Sequence, residues 1–166
     1  MSDLNADDRF AIYDLLGRYS HAVDRQDLAA ARSCYHDDAH DDHGRFSGPI
    51  DEVFERIDAL FGQLAGTFHM MGMPYVVQQG HIARCVTYSF YRRETVGEPG
   101  AVMQGLRYLD KLEKRQGRWG IVDRTVVLDW ENALSEMPDV PSGPDWSRGA
   151  FGPDDPATAF LSEGWT

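Results

Sequence analysis

Residues 49–80 read PIDEVFERIDALFGQLAGTFHMMGMPYVVQQG, and the hydrophobic period changes partway along. Ile50, Val53, Ile57, Phe61 and Leu64 recur at helical spacing and form one apolar stripe. Pro49 suits a first helical position, and Gly66 ends the stripe. From Thr67 to Gln78 the period is two, which predicts a strand with His69, Met71, Met73, Tyr75 and Val77 on one face. Gln79-Gly80 then marks a turn. A single switch from helical to strand period predicts a fold in which helices and sheet are segregated along the chain.

The flanks extend the same division. Upstream, Asn5 with Asp8 resembles a helix cap, and Ile12, Leu15, Leu16, Tyr19 and Val23 give an amphipathic first helix ending near Asp24-Arg25-Gln26. Asp27 caps a short second helix, Leu28 to Tyr35. Downstream, strands are predicted over Ile82 to Arg93, Val102 to Lys114 and Trp119 to Glu131, with a loop over 97–100 and a turn at Gln116-Gly117. Residues 1–131 therefore read as one α+β domain with a curved antiparallel sheet. Residues 132–166 hold most of the prolines together with Trp146, Phe151, Phe160 and Trp165, and read as an extended arm on the domain or on a neighbouring subunit. A partly ordered tail is the alternative.

The 166 residues carry 42% hydrophobic and 26% charged side chains, the profile of a globular chain long enough for a sizeable core. A formal net charge of −11 argues against nucleic acid or an anionic membrane as the main partner. Cys34 and Cys85 lack metal or disulfide spacing and read as buried free thiols, which fits a cytoplasmic setting. The polar N-terminus, MSDLNADDRF, is unlike a signal peptide, and no apolar run approaches a membrane span.

The segments DRFAIYDLLGRYSHAVDRQDLAAARSCYHDDA, GRFSGPIDEVFERI, GTFHMMGMP and LRYLDKLEKRQGRWGIVDRTVVLDW, in this order, resemble the SnoaL-like branch of the nuclear transport factor 2-like superfamily. The resemblance implies a cone-shaped curved sheet wrapped around three N-terminal helices, with an apolar pocket at its open end. It also implies an Asp–His dyad, as in dehydratases acting on scytalone or bile acids and in hexachlorocyclohexane dehydrochlorinase. Asp24 in HAVDRQD and His69 in TFHMM match the dyad positions. A histidine can accept a proton near neutral pH, and a carboxylate on its other nitrogen fixes the tautomer. Tyr19 matches a tyrosine that hydrogen-bonds a substrate oxygen. Arg124, in IVDRTVV and on a face with Val126, Leu128 and Trp130, matches an arginine that holds the leaving group. Tyr108 and Asp110 share a strand face, where structural pairing comes first and pocket lining second.

The stretch HDDAHDDHG, residues 36–44, departs most from these relatives. His36 to Ala39 read as an acidic turn, and His40 to His43 as a short strand. Alternation puts Asp41 and His43 on one face, where His43 takes the place of a pocket tyrosine, and turns His40 and Asp42 outward. Histidines and carboxylates two apart can chelate zinc or iron, but alternation divides the cluster and no second metal element completes it. Metal is the minority reading.

The sequence thus predicts a lyase that needs neither cofactor nor metal, acting on a small hydrophobic, aromatic or polycyclic substrate. His69 and Asp24 form the base, with Tyr19 and Arg124 assisting. His43, Asp41, Met71, Met73 and Tyr108 bind substrate. Elimination of water is the default reaction, and formaldehyde-releasing carbon–carbon cleavage is its variant. An isomerase or cyclase with the same pocket, or a non-catalytic binding domain, are the alternatives. Relatives imply a homo-oligomer, either trimer or dimer.

Overall fold

The computed structural model describes residues 5–135 and 147–162, so Trp146 and Trp165 lie outside the described residues. Helix α1 (Ala6–Asp24) begins where the side chain of Asn5 accepts the Asp8 backbone N–H at 2.8 Å. This cap satisfies one of the helix's orphan donors. Ile12, Leu15, Leu16, Tyr19 and Val23 form its buried stripe. Gln26 then takes a left-handed φ of 58°, and Asp27 caps α2 (Leu28–Arg32) by accepting the Ala30 N–H at 2.9 Å.

Helix α2 is shorter than the spacing predicts, because Tyr35 already opens β1 (Tyr35–Asp42). His36 to Ala39 therefore belong to a strand rather than a turn. They form an irregularity in it: Tyr35 pairs with Ile121 and His40 with Asp123, so β1 carries extra residues that leave Asp37 and Asp38 exposed. A turn leads into β2 (Ser47–Pro49) and α3 (Ile50–Phe61). Pro49 stands at the N-cap, and Gly62 rather than Gly66 ends the helix, so Leu64 opens β3 (Leu64–Met71).

The predicted strand over Thr67 to Gln78 is two strands. β3 and β4 (Tyr75–Gln79) both pair with β5 (Ile82–Thr95), and Gly72 to Pro74 separate them. Pro74 has no N–H to offer a ladder. The break also shifts the phase: Thr67 and His69 turn inward in β3, whereas Val76 and Gln78 do so in β4. The common face predicted for His69 through Val77 therefore ends at Met71, and Met73, Tyr75 and Val77 are exposed.

β6 (Ala101–Arg115) and β7 (Arg118–Leu134) form a hairpin closed by Gln116 (φ 52°) and Gly117 (φ 82°). Two left-handed residues suit a tight hairpin turn. Among the described residues the sheet order is β2-β1-β7-β6-β5-β3, with β4 also on β5, and of these pairs only β1–β7 is parallel. β7 carries an extra residue at Val122 and another at Asp129 relative to β6. Such bulges bend a sheet and reset its alternation. The concave face packs on α1 and α3, and Cys85, Leu112, Trp119 and Ile121 of the sheet join Ile12, Leu15, Val53 and Ile57 in one core. Cys34 and Cys85 are buried and free.

The described part of the arm holds a short 3-10 turn (Gly152–Asp154) and α4 (Pro156–Ser162). It is fastened to the end of α1, where Arg25 donates to Asp155 and to the Ala150 carbonyl, each at 2.7 Å. Among the described residues no helix is long and apolar enough to cross a membrane.

Candidate active site

A cavity of about 420 Å³ opens between the concave sheet face, α1 and α3. Val23, Ile57, Phe61, Leu64, Leu106 and Val126 supply apolar wall, and Tyr19, His43, His69, Tyr91 and Tyr108 supply polar groups. Arg45, Arg93, Gln104 and Glu131 complete its polar lining. A larger hollow of about 860 Å³ lies between α1, α2 and the arm, but it is an open groove on helix surfaces that neither His43 nor His69 reaches.

Asp24 is the last residue of α1, and His69 lies on β3. The His69 Nδ1 donates to Asp24 Oδ1 at 2.6 Å, and the His69 backbone N–H donates to Oδ2 at 2.7 Å. Both side chains are about nine-tenths buried. Burial pushes the Asp24 carboxyl up, but the hydrogen bonds and charge of His69 outweigh it and hold the group below the usual carboxylate range. With Nδ1 committed, Nε2 is the nitrogen His69 has left for chemistry. The ring of Tyr91, its cross-strand partner on β5, lies 4.4 Å away centroid to centroid. The sequence reading omitted Tyr91. Its signal was the inward alternation of β5, legible only once the β3–β5 register is known.

Tyr19 and Tyr108 line the floor, with ring centroids 6.5 Å apart. Burial pushes the Tyr19 phenol up to about 12 and that of Tyr108 well above its ordinary value, so both remain proton donors at neutral pH. Arg124 stands beneath this floor and not in the cavity lining. It is fully buried, donates to both oxygens of Asp110 at 2.6 and 2.9 Å, and lies 4.2 Å from the Tyr19 centroid and 4.6 Å from that of Tyr108. Burial alone would lower its pKa, but the charge of Asp110 reverses this and keeps the guanidinium cationic. A leaving group in the cavity is therefore separated from it by two phenol rings.

Asp41 lies behind His43, whose Nδ1 hydrogen-bonds its Oδ1, while the Tyr35 hydroxyl donates to Oδ2 at 2.7 Å. His43 lines the cavity, and Asp41 does not. Met71 and Met73 are outside the lining as well: the break at Gly72 to Pro74 carries Met73 to the surface, where it is 83% exposed. The bulge at Asp129 places Glu131, rather than Trp130, after Val126 and Leu128 on the cavity wall. His36 is a buried structural ring whose Nε2 meets the Glu113 carbonyl at 2.9 Å, and His40 is half exposed. The His/Asp cluster is thus dispersed, and among the described residues no three His, Cys, Asp or Glu side chains gather as a metal-binding group.

A curved sheet closed over helices, with an apolar cavity and a buried Asp–His pair, defines a nuclear transport factor 2-like domain. The SnoaL-like domain family matches residues 5–125, and the chain belongs to that family. The fold is shared with a candidate scytalone dehydratase from Novosphingobium aromaticivorans (TM-score 0.73, 15% identity, covering 85% of this chain and 100% of that one). It is also shared with hexachlorocyclohexane dehydrochlorinase type 3 from Novosphingobium barchaimii (TM-score 0.73, 16% identity, 82% and 96%). A candidate aromatic ring hydroxylase from N. aromaticivorans is similar too (TM-score 0.73, 22% identity, 80% and 96%). No curated protein matches the sequence.

Proposed function

We propose that the protein is a lyase that eliminates a group from a small hydrophobic, ring-bearing substrate by acid/base chemistry. The observation that carries this reading is the Asp24–His69 pair on the wall of an otherwise largely apolar cavity. Asp24 fixes the proton on Nδ1, which leaves Nε2 to abstract a proton from substrate carbon and stabilises the imidazolium that results. Tyr19 and Tyr108, kept protonated by burial, donate hydrogen bonds to a substrate carbonyl or hydroxyl and to the oxyanion that develops on it. The names of two structural neighbours, a candidate dehydratase and a dehydrochlorinase, lend support to elimination as the reaction class. This chemistry requires no cofactor. Loss of water and formaldehyde-releasing cleavage of a diol share the same base.

The test is turnover across bicyclic β-hydroxy ketones and aryl diols, followed by absorbance and by formaldehyde release. His69→Ala and Asp24→Asn should each lower kcat/KM by about 100-fold or more with an unchanged circular dichroism spectrum. Full activity in both variants sinks the dyad.

A further inference from the structure

We propose that His43, oriented by Asp41, is a second proton-transfer group of this cavity, and that it protonates a departing hydroxyl, so that the substrate loses water rather than halide. This deepens the lyase reading and rests on it for the base, His69.

The construction repeats that of the first pair. Nδ1 of His43 is committed to Asp41, whose side chain is fully buried and whose second oxygen is occupied by the Tyr35 hydroxyl. Stacking on Phe46, at 5.5 Å and 15° between planes, fixes the plane of the ring. Nε2 is the nitrogen left for a ligand, and His43 lines the same cavity as His69. The two imidazoles come from opposite ends of the sheet: His43 from the turn joining β1 to β2, His69 from β3. Curvature brings these ends around one cavity, which suits a base and an acid acting on adjacent substrate carbons.

Burying a second carboxylate is costly, and proton abstraction needs only one dyad. Chloride leaves unaided, whereas hydroxide is a poor leaving group and must take up a proton. A second imidazole is the part that hydroxyl loss requires. The roles divide by position. With His69 as the base, His43, on the cavity wall from the other end of the sheet, is the imidazole left to act as proton donor.

In the reactive form His43 is the imidazolium, with hydrogen on both ring nitrogens, and His69 is neutral. His69 Nε2 takes a proton from carbon, and the released C–H pair becomes the new carbon–carbon π bond. The C–O bond breaks with its electron pair on oxygen, which takes the proton from His43 Nε2 and leaves as water. One proton returns from His69 to His43 through solvent, and the net reaction is loss of H2O.

Two measurements on the full chain test the proposal. At a pH high enough to deprotonate both imidazoliums, nitrogen NMR of histidine-labelled protein should show the remaining hydrogen on Nδ1 of both His43 and His69. Asp41→Asn should move the His43 signals alone, and Asp24→Asn those of His69 alone. A neutral His43 protonated on Nε2, or one indifferent to Asp41→Asn, overturns the proposal without need of a substrate. The second measurement uses α-tetralone and its β-hydroxy and β-chloro derivatives, bicyclic ketones that suit the size of the cavity. His43→Gln, with its His69 signals in place, should slow water loss about 100-fold, yet leave chloride loss and deuterium exchange at the α-carbon nearly unchanged. Unimpaired water loss overturns the proposal, as does an equal fall on both leaving groups, or a wild-type protein that eliminates chloride but not water. Exchange and both eliminations persisting in His69→Ala would instead refute His69 as the base on which the proposal rests.

Discussion

Asp8 sits away from the cavity, at the centre of a hydrogen-bond network of its own. Its carboxylate accepts from Lys114 Nζ at 2.7 Å, and from Gln78 Nε2 and Trp119 Nε1, each at 2.9 Å. These bonds, Lys114's foremost, hold its pKa down to about 2 against an ordinary 3.8. The folded value lies below the unfolded one, so the stabilisation is complete above about pH 4 and fades as pH falls towards 2. Asp8→Asn should cost about 2–3 kcal/mol at neutral pH, and the gap in melting temperature from wild type should narrow between pH 4 and 2. A gap that stays constant across that range would remove Asp8 from the acid sensitivity of the fold. Arg124 is a second buried charge. The sequence marks it as a cation on an apolar face, and in the structure it bonds Asp110 beneath the ring of Tyr19.

Strand β7 shapes the cavity through its bulges. Its extra residues at Val122 and Asp129 bend the sheet, and the second bulge changes which side chains reach the cavity wall. The extra residues of β1 opposite Ile121 to Asp123 fold His36 inward against the same strand. There Gly120 makes room: a Cβ at this position would lie 2.8 Å from the His36 ring, which is itself held by the Glu113 carbonyl and Arg118. Gly120→Ala should therefore destabilise the fold by about 1–3 kcal/mol through displacement of that ring. Adding His36→Ala should recover part of the loss, and a double-mutant cycle by chemical denaturation measures the coupling. Additive losses would mean that the ring and the glycine do not meet.

The whole molecule hides one sheet face and displays the other. Phe68, Met70 and Tyr88 are more than half exposed on the outer face of β3 and β5, near Phe90 and Trp130. Large apolar side chains exposed together on one sheet face suit an association surface. We expect the homo-oligomer implied by the family resemblance to use this face. Sedimentation should give a mass above one chain for wild type and a lower one for Phe68→Asp/Met70→Asp. A monomeric wild type removes the expectation, and an unchanged mass in the variant moves the interface elsewhere.

Much was determined by the sequence itself because it is local. Side-chain period distinguishes helix from strand within a few residues, so the switch in residues 49–80 and the order of elements followed directly. Asn5 and Asp27 cap helices by bonding to backbone three residues away. Asp24 and His69 were matched by their flanking motifs. Tertiary structure decided what depends on register. Alternation counts correctly only until a bulge or break, and Pro74 and the extra residues of β1 and β7 each reset it. That is why Met73 left the cavity face and Glu131 displaced Trp130 from it, whereas Tyr91 joined His69 through the β3–β5 register. The pairing of Arg124 with Asp110, and the placing of His43 and His69 from opposite ends of the sheet on one cavity, are set by tertiary structure. Their chemistry exists only once the sheet has curved.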